Sequence, residues 1–95
     1  MAAYLVVDIE ISNPAQFEEY RKLAPAAIAK FGGRYIIRGG AYEVLEGEWK
    51  PQRLTIVEFD SMEKAKAFYA SAEYGAAKKA RAGAAKFKAL LVQGI

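Results

Sequence analysis

The sequence predicts an α+β sandwich in the order β-α-β-β-α-β, and three observations carry that reading. Tyr4 to Ile11 alternates strictly, with Leu5, Val7, Ile9 and Ile11 on one face and Tyr4, Val6, Asp8 and Glu10 on the other. Phe17, Tyr20, Ala24, Ile28 and Phe31 then recur at helical spacing and end at a glycine pair, Gly32-Gly33. The second half repeats the scheme: a β-branched run from Arg53 to Phe59, an apolar helical stripe of Met62, Ala65, Phe68, Tyr69 and Ala72, and a strand from Phe87 to Val92.

Each element has its own punctuation. Ser12-Asn13-Pro14 closes the first strand; Asn13 suits an N-cap, Pro14 the first helical position, and Gln16 completes a capping-box-like pattern. Pro25 removes one helical hydrogen bond and predicts a kink or a split into segments near 14–23 and 25–31. Arg34 to Arg38 is the second strand and Gly39-Gly40 a turn or bulge, with Tyr42 to Leu45 extending the strand or forming a short one of its own. Glu46 to Pro51 is a turn, and Asp60-Ser61-Met62-Glu63 is a capping box opening the second helix. A break is expected near Ser71 to Gly75, with a further turn or two of helix running to Gly83 or beyond.

Two helices on one face of a four-stranded antiparallel sheet make a ferredoxin-like sandwich. Nothing in the sequence covers the sheet's other face, whose Tyr4, Val6, Asp8 and Glu10 are a mixture. Two such sheets packed face to face would cover each other, so a homodimeric α/β barrel is expected. The 95 residues form a single domain, residues 1–95, which by size scaling would expose roughly 5,400 Å² folded against roughly 15,000 Å² extended. A 54% hydrophobic content suits a chain that hides apolar surface in a subunit interface, although alanine also inflates that figure.

Composition excludes several chemistries. There is no cysteine and no histidine, so thiolate chemistry, disulfides, the usual zinc ligands and a Ser-His-Asp triad are all out of reach. Acid–base work would fall to carboxylates, lysine or tyrosine. No apolar run approaches membrane-spanning length and no leader pattern opens the chain, so a cytoplasmic protein with no membrane partner is expected. The net charge of +3 is uneven: residues 74–95 hold Lys78, Lys79, Arg81, Lys86 and Lys88 and no acid. Without a recognition motif this reads as a helix end favoured by the dipole and not as a nucleic-acid surface. No cofactor is expected either, because haem lacks a histidine or cysteine ligand and no glycine-rich loop joins a strand to a helix. Glu43, Glu46 and Glu48 are an acidic cluster in a turn and read as solvated, not as a metal site.

Several pieces together resemble a known family. They are Phe31-Gly-Gly-Arg34, Arg38-Gly-Gly40, Leu45-Glu-Gly47, Trp49-Lys-Pro-Gln-Arg53, Glu58-Phe-Asp-Ser61, Phe68-Tyr-Ala-Ser71, and Tyr74 with Arg81. In this order they resemble the domain-of-unknown-function 1330 family of the dimeric α/β-barrel superfamily, over essentially the whole chain. Asp60 stands where that pattern expects proline before the serine. The resemblance implies a βαββαβ protomer and a dimer, with a cleft between sheet and helices or inside the barrel. It implies no reaction, and fold analogy supplies none.

The candidate site residues follow from their side chains. Arg34, Ile36 and Arg38 are placed on one strand face, and Arg53 opens the neighbouring strand. Guanidiniums fit carboxylate or phosphate oxygens in a bidentate fork, so Arg38 and Arg53 are candidates for an anion clamp, with Gly39 and Gly40 allowing close backbone approach. The alternative is an ion-pair network with Asp8, Glu46 or Glu58. Glu58 falls on the face of Leu54 and Ile56, where an unpaired carboxylate would suit a general base; Asp8 is a second candidate, and pairing with a neighbouring arginine is the structural alternative. Tyr69, Tyr74 and Arg81 either close the mouth of a cleft or pack in the core. Trp49 is a dimer contact or an aromatic cap on the cavity. Two classes stay open: a protein that binds a small anionic or aromatic molecule and works as a cofactor-independent isomerase or monooxygenase, or a non-enzymatic binding or stress-associated dimer.

Overall fold

A computed structural model describes all residues, Met1 to Ile95. The elements are β1 (Ala3–Ile11), α1 (Pro14–Lys30), β2 (Arg34–Arg38), β3 (Leu54–Phe59), α2 (Met62–Tyr69), α3 (Ala72–Arg81) and β4 (Ala85–Gln93). The strands form one sheet in the order β2-β3-β1-β4 with every neighbouring pair antiparallel, the expected ferredoxin-like arrangement. The molecule is a slab of 37 × 35 × 16 Å, one layer of sheet and one of helix.

The alternation in β1 assigns the two faces. Ala3, Leu5, Val7 and Ile9 are buried under the helices with Thr55, Val57 and Phe59 of β3, and the core is completed by Phe17, Ala24, Ala27, Ile28, Phe68 and Tyr74. On the opposite face, Ile37, Ile56, Val6 and Leu90 line up across all four strands, an apolar row that no helix covers. The total accessible surface of 6162 Å² exceeds the scaling value by about 760 Å².

Helix starts are set by side-chain caps. Asn13 Oδ1 accepts from the amide of Gln16 at 3.2 Å and Ser61 Oγ from that of Lys64 at 3.2 Å. The Gln16 side-chain amide does not return to the Asn13 backbone; its Nε2 donates to the carbonyls of Ala80 and Ala82 at 3.2 and 2.7 Å, tying the start of α1 to the end of α3. Ser71 breaks the second helix: its hydroxyl donates to the Phe68 carbonyl at 2.6 Å and accepts from the Tyr74 amide at 3.1 Å, so α3 starts afresh in a new direction.

The structure corrects four expectations. α1 runs unbroken through Pro25, because Ala24, Ala27 and Ile28 are buried on both sides of it and outweigh the lost hydrogen bond. Residues 42–45 form no strand; the segment from Gly40 to Gln52 is irregular, with Tyr42, Val44, Leu45 and Trp49 exposed, since nothing in the protomer pairs with it. The bulge lies inside β2: Tyr35 pairs with Val57 and Ile37 with Ile56, so Ile36 is the unpaired extra residue. Arg34 and Arg38 therefore do not share a face; Arg34 lies opposite Glu58 on the open side and Arg38 opposite Thr55 on the helix side. Finally, β4 extends beyond the expected Phe87–Val92 at both ends, through continued pairing with β1.

Candidate functional site

A cleft opens between α1 and the β2 side of the sheet, with an internal volume of about 80 Å³. Its floor is Leu5, Val7, Ile9, Val57 and Phe68; its walls include Phe17, Tyr20, Tyr35, Thr55 and Tyr74; Arg21, Arg38 and Arg53 complete the lining. Not one carboxylate lines it. Each arginine is placed by a separate local device. The bulge at Ile36 turns Arg38 to the helix side, where its guanidinium lies 4.3 Å from the Tyr35 ring centroid. Gly39 has φ +67, and a Cβ there would meet the Arg53 guanidinium carbon at 2.8 Å, so only glycine lets Arg53 lie against that backbone. Arg21 follows Phe17 by one helical turn, 5.5 Å over its ring, and makes only a solvent-exposed pair with Glu18 at 3.6 Å.

Deeper in, the hydroxyls of Tyr20 and Tyr74 are 2.8 Å apart. Burial pushes both phenols above the usual tyrosine range, furthest at Tyr20, where the neighbouring Tyr74 reinforces it; Tyr35 is raised too, again first by burial. Arg81 lies beside this pair, 3.7 Å over the Phe87 ring and 5.8 Å from that of Tyr20, with its buried Nε lacking any hydrogen-bond partner. Tyr69 packs on Tyr74 at 5.2 Å between centroids, and the Lys78 ammonium sits 3.9 Å over the Tyr69 ring.

The raised phenols predict alkaline instability. Above about pH 10 the tyrosines of the unfolded chain lose protons that Tyr20 and Tyr74 still hold in the fold. The native state then binds more protons than the unfolded one, and stability falls as pH rises. Urea melts between pH 9 and 11.5 read this slope; a flat profile above pH 10 would contradict it.

The sequence-selected residues divide between the two sides of the sheet. Arg38, Arg53 and Tyr74 meet at the cleft with Gly39 behind them; Gly40 lies in open space; Tyr69 and Arg81 flank the aromatic cluster without lining the cleft. Glu58 and Asp8 are on the open face, contrary to a single cleft holding both arginines and carboxylates, because both alternate with buried residues of their strands. Glu58 accepts from Arg34 Nε at 2.8 Å and from the Tyr4 hydroxyl at 3.1 Å, and Arg34 also reaches Asp60 at 3.7 Å. The Tyr4 phenol is raised, mainly by that hydrogen bond to Glu58. Asp8 Oδ1 accepts from the amides of Gln52 and Arg53 at 2.8 and 3.2 Å, fixing where the irregular segment re-enters β3. Trp49 borders a shallow depression on the open face with Val6, Leu54 and Leu90. No cluster of three potential metal-ligating side chains is present, and no helix is long and apolar enough to cross a membrane.

Sequence reasoning missed Arg21, Tyr35 and Thr55 as cleft residues, and treated Tyr20 as core. Arg21 carried a usable signal: it stands four residues after Phe17 and seven before Ile28, on the face that covers the sheet. Thr55 was legible as well, since β3 alternates and puts it on the face opposite Leu54, Ile56 and Glu58, and Tyr35 lies before the bulge, paired with Val57.

Fold and cleft together define a ferredoxin-like α+β protein with an arginine-edged, tyrosine-lined pocket between sheet and helix. The chain belongs to the family described as Domain of unknown function (DUF1330), whose sequence model matches residues 2–95. Among solved structures it is similar to a protein of unknown function from Rhodopseudomonas palustris, at 15% identity and TM-score 0.75, covering 99% of this chain and 82% of that one. It is also similar to SnoaB, a cofactor-independent oxygenase from Streptomyces nogalater, at 14% identity and TM-score 0.71, covering 99% and 93%. A dimeric ferredoxin-like protein of unknown function from Jannaschia sp. CCS1 aligns at 9% identity and TM-score 0.70, covering 99% and 100%. At these identities the likeness is one of fold. No curated protein matches the chain by sequence.

Proposed function

We propose that this protein is a homodimer that binds a small anionic molecule with an aromatic or apolar body in the cleft between α1 and the sheet. One observation carries the reading: three guanidiniums edge a pocket that contains no carboxylate, and neither Arg38 nor Arg53 forms an ion pair with any acidic side chain. Elsewhere the protein does pair its charges, as Arg34 with Glu58 and Lys30 with Glu73. Unpaired guanidiniums over apolar and aromatic walls suit a carboxylate on a flat body. The homodimer rests on the uncovered apolar row and on similar folds described as dimeric.

Thermal shift with benzoate, acetate and inorganic phosphate tests the cleft. Benzoate is expected to raise the melting temperature of the wild-type protein. Arg38→Ala and Arg53→Ala should each weaken apparent affinity by about 10- to 100-fold, the worth of a charged hydrogen bond. Glu58→Gln, across the sheet, should leave the shift unchanged. No stabilisation by any of the three anions would overturn the reading.

A second reading, catalysis without a cofactor, is favoured by the fold shared with the oxygenase SnoaB. In the cleft itself the phenols are held neutral by burial, which suits donating hydrogen bonds to a developing oxyanion better than removing a proton. Glu58 and Asp8 remain the candidate bases, and they would act only on a substrate held against the open face. Loss of turnover in Glu58→Gln with benzoate binding intact would place chemistry there.

A further inference from the structure

We propose that the ligand of the cleft carries a second oxygen, a hydroxyl or carbonyl on the end remote from its carboxylate, and that the Tyr20–Tyr74 hydroxyl pair reads it. This rests on the anion-cleft reading above and names the class within it: hydroxylated or oxo-substituted aromatic acids.

The cleft is graded from charge to hydroxyl. Arg38 is exposed and the Arg21 side chain is 42% exposed, whereas Tyr74 is 2% exposed and Tyr20 is half-buried. Guanidiniums thus stand at the mouth and phenols inside. The inner pair has a definite hydrogen-bonding capacity. Two phenols bring two O–H donors, and the bond between them uses one. Neither hydroxyl donates a hydrogen bond to any other group of the protein, so the other O–H of the pair is left free. Burial keeps both phenols protonated at neutral pH, so this donor is always present. Leaving such a donor unpaired on ligand binding is costly, and an unsubstituted hydrocarbon edge would leave it so. A ligand oxygen placed there satisfies it.

The pair is also held rigidly. Ser71 caps α3 three residues before Tyr74 and fixes its backbone, Tyr74 packs on Phe68 at 4.5 Å between centroids, and Tyr20 stacks on Phe17 at 5.0 Å. Both hydroxyls are therefore set before a ligand arrives, and a site built around a fixed donor discriminates strongly against an analogue that lacks the acceptor.

Titration calorimetry with benzoate, 3-hydroxybenzoate and 4-hydroxybenzoate reads the discrimination. The wild-type protein is expected to bind the better hydroxybenzoate at least about 10-fold more tightly than benzoate. Tyr74→Phe and Tyr20→Phe each keep the ring and remove one hydroxyl; each loses the mutual bond that orients the free O–H and should reduce the preference, and the double variant should abolish it. Arg38→Ala should instead weaken all three acids alike. Circular dichroism confirms folding, and the second phenylalanine variant serves where the first fails to fold. Equal binding of benzoate and both hydroxybenzoates by the wild type overturns this inference and leaves the anion cleft standing. Binding of none of them overturns both.

Discussion

Replacing Phe68 by alanine is expected to destabilise the protein by about 3–5 kcal/mol, the usual loss for a buried phenylalanine that its surroundings cannot replace. Phe68 is fully buried, at 0% exposure, with Phe59 at 5.1 Å, Phe31 at 6.2 Å and Tyr74 at 4.5 Å between ring centroids. It joins α2 to the end of α1, to β3 and to α3 at one point, so no single element can shift to fill the void. A domain of this size has a total stability of about 5–15 kcal/mol, and the loss approaches the lower bound. Urea denaturation should show a sharply lowered midpoint with an unchanged slope. A loss below about 1 kcal/mol would mean that the three helices repack freely. Because Phe68 also forms part of the cleft floor, the variant should lose benzoate binding even where it remains folded.

The second large effect concerns assembly. Ile56→Lys is expected to convert the proposed homodimer to a monomer at micromolar concentration. Ile56 is a middle member of the apolar row Ile37–Ile56–Val6–Leu90, and a two-fold interface would meet the substitution twice. An unpaired ammonium enclosed in such an interface costs several kcal/mol, so weakening by at least two orders of magnitude is expected. The surface in excess of scaling, about 760 Å², is close to what one partner contributes to a standard interface. Sedimentation or light scattering should give twice the 10.4 kDa chain mass for the wild type and the single mass for the variant. A wild-type monomer at these concentrations would sink the dimer.

Much of the architecture could be read from local pattern. The alternation of Leu5, Val7 and Ile9 placed the helices on one face; Asn13 marked a helix start that the structure keeps, and of Asp60 and Ser61, both open as caps, the structure uses Ser61. The site was harder, because it depends on register. A strand's two faces are distinguished by a single residue, and the sequence of β2, Arg-Tyr-Ile-Ile-Arg, does not say which isoleucine is extra. Of the turn or bulge expected at Gly39-Gly40, the structure has the turn, with Gly39 at φ +67, and a separate bulge inside β2. Arg38 and Arg53, read as a pair, do line one cleft, whereas the shared face expected for Arg34 and Arg38 does not hold. The helix through Pro25 shows the limit of propensity where tertiary burial is strong.

The unpaired Ile36 has a consequence for how this chain can vary. One inserted residue lets a five-residue strand address two compartments, Arg34 contributing to the open face and Arg38 to the pocket. Drawing Ile36 into a regular ladder with all five residues kept would return both arginines to the open side and put Ile37 in the pocket in place of Arg38. Substitution at position 34 or 38 changes one compartment alone, so assembly and ligand choice can diverge independently among descendants of this fold as long as this register is kept.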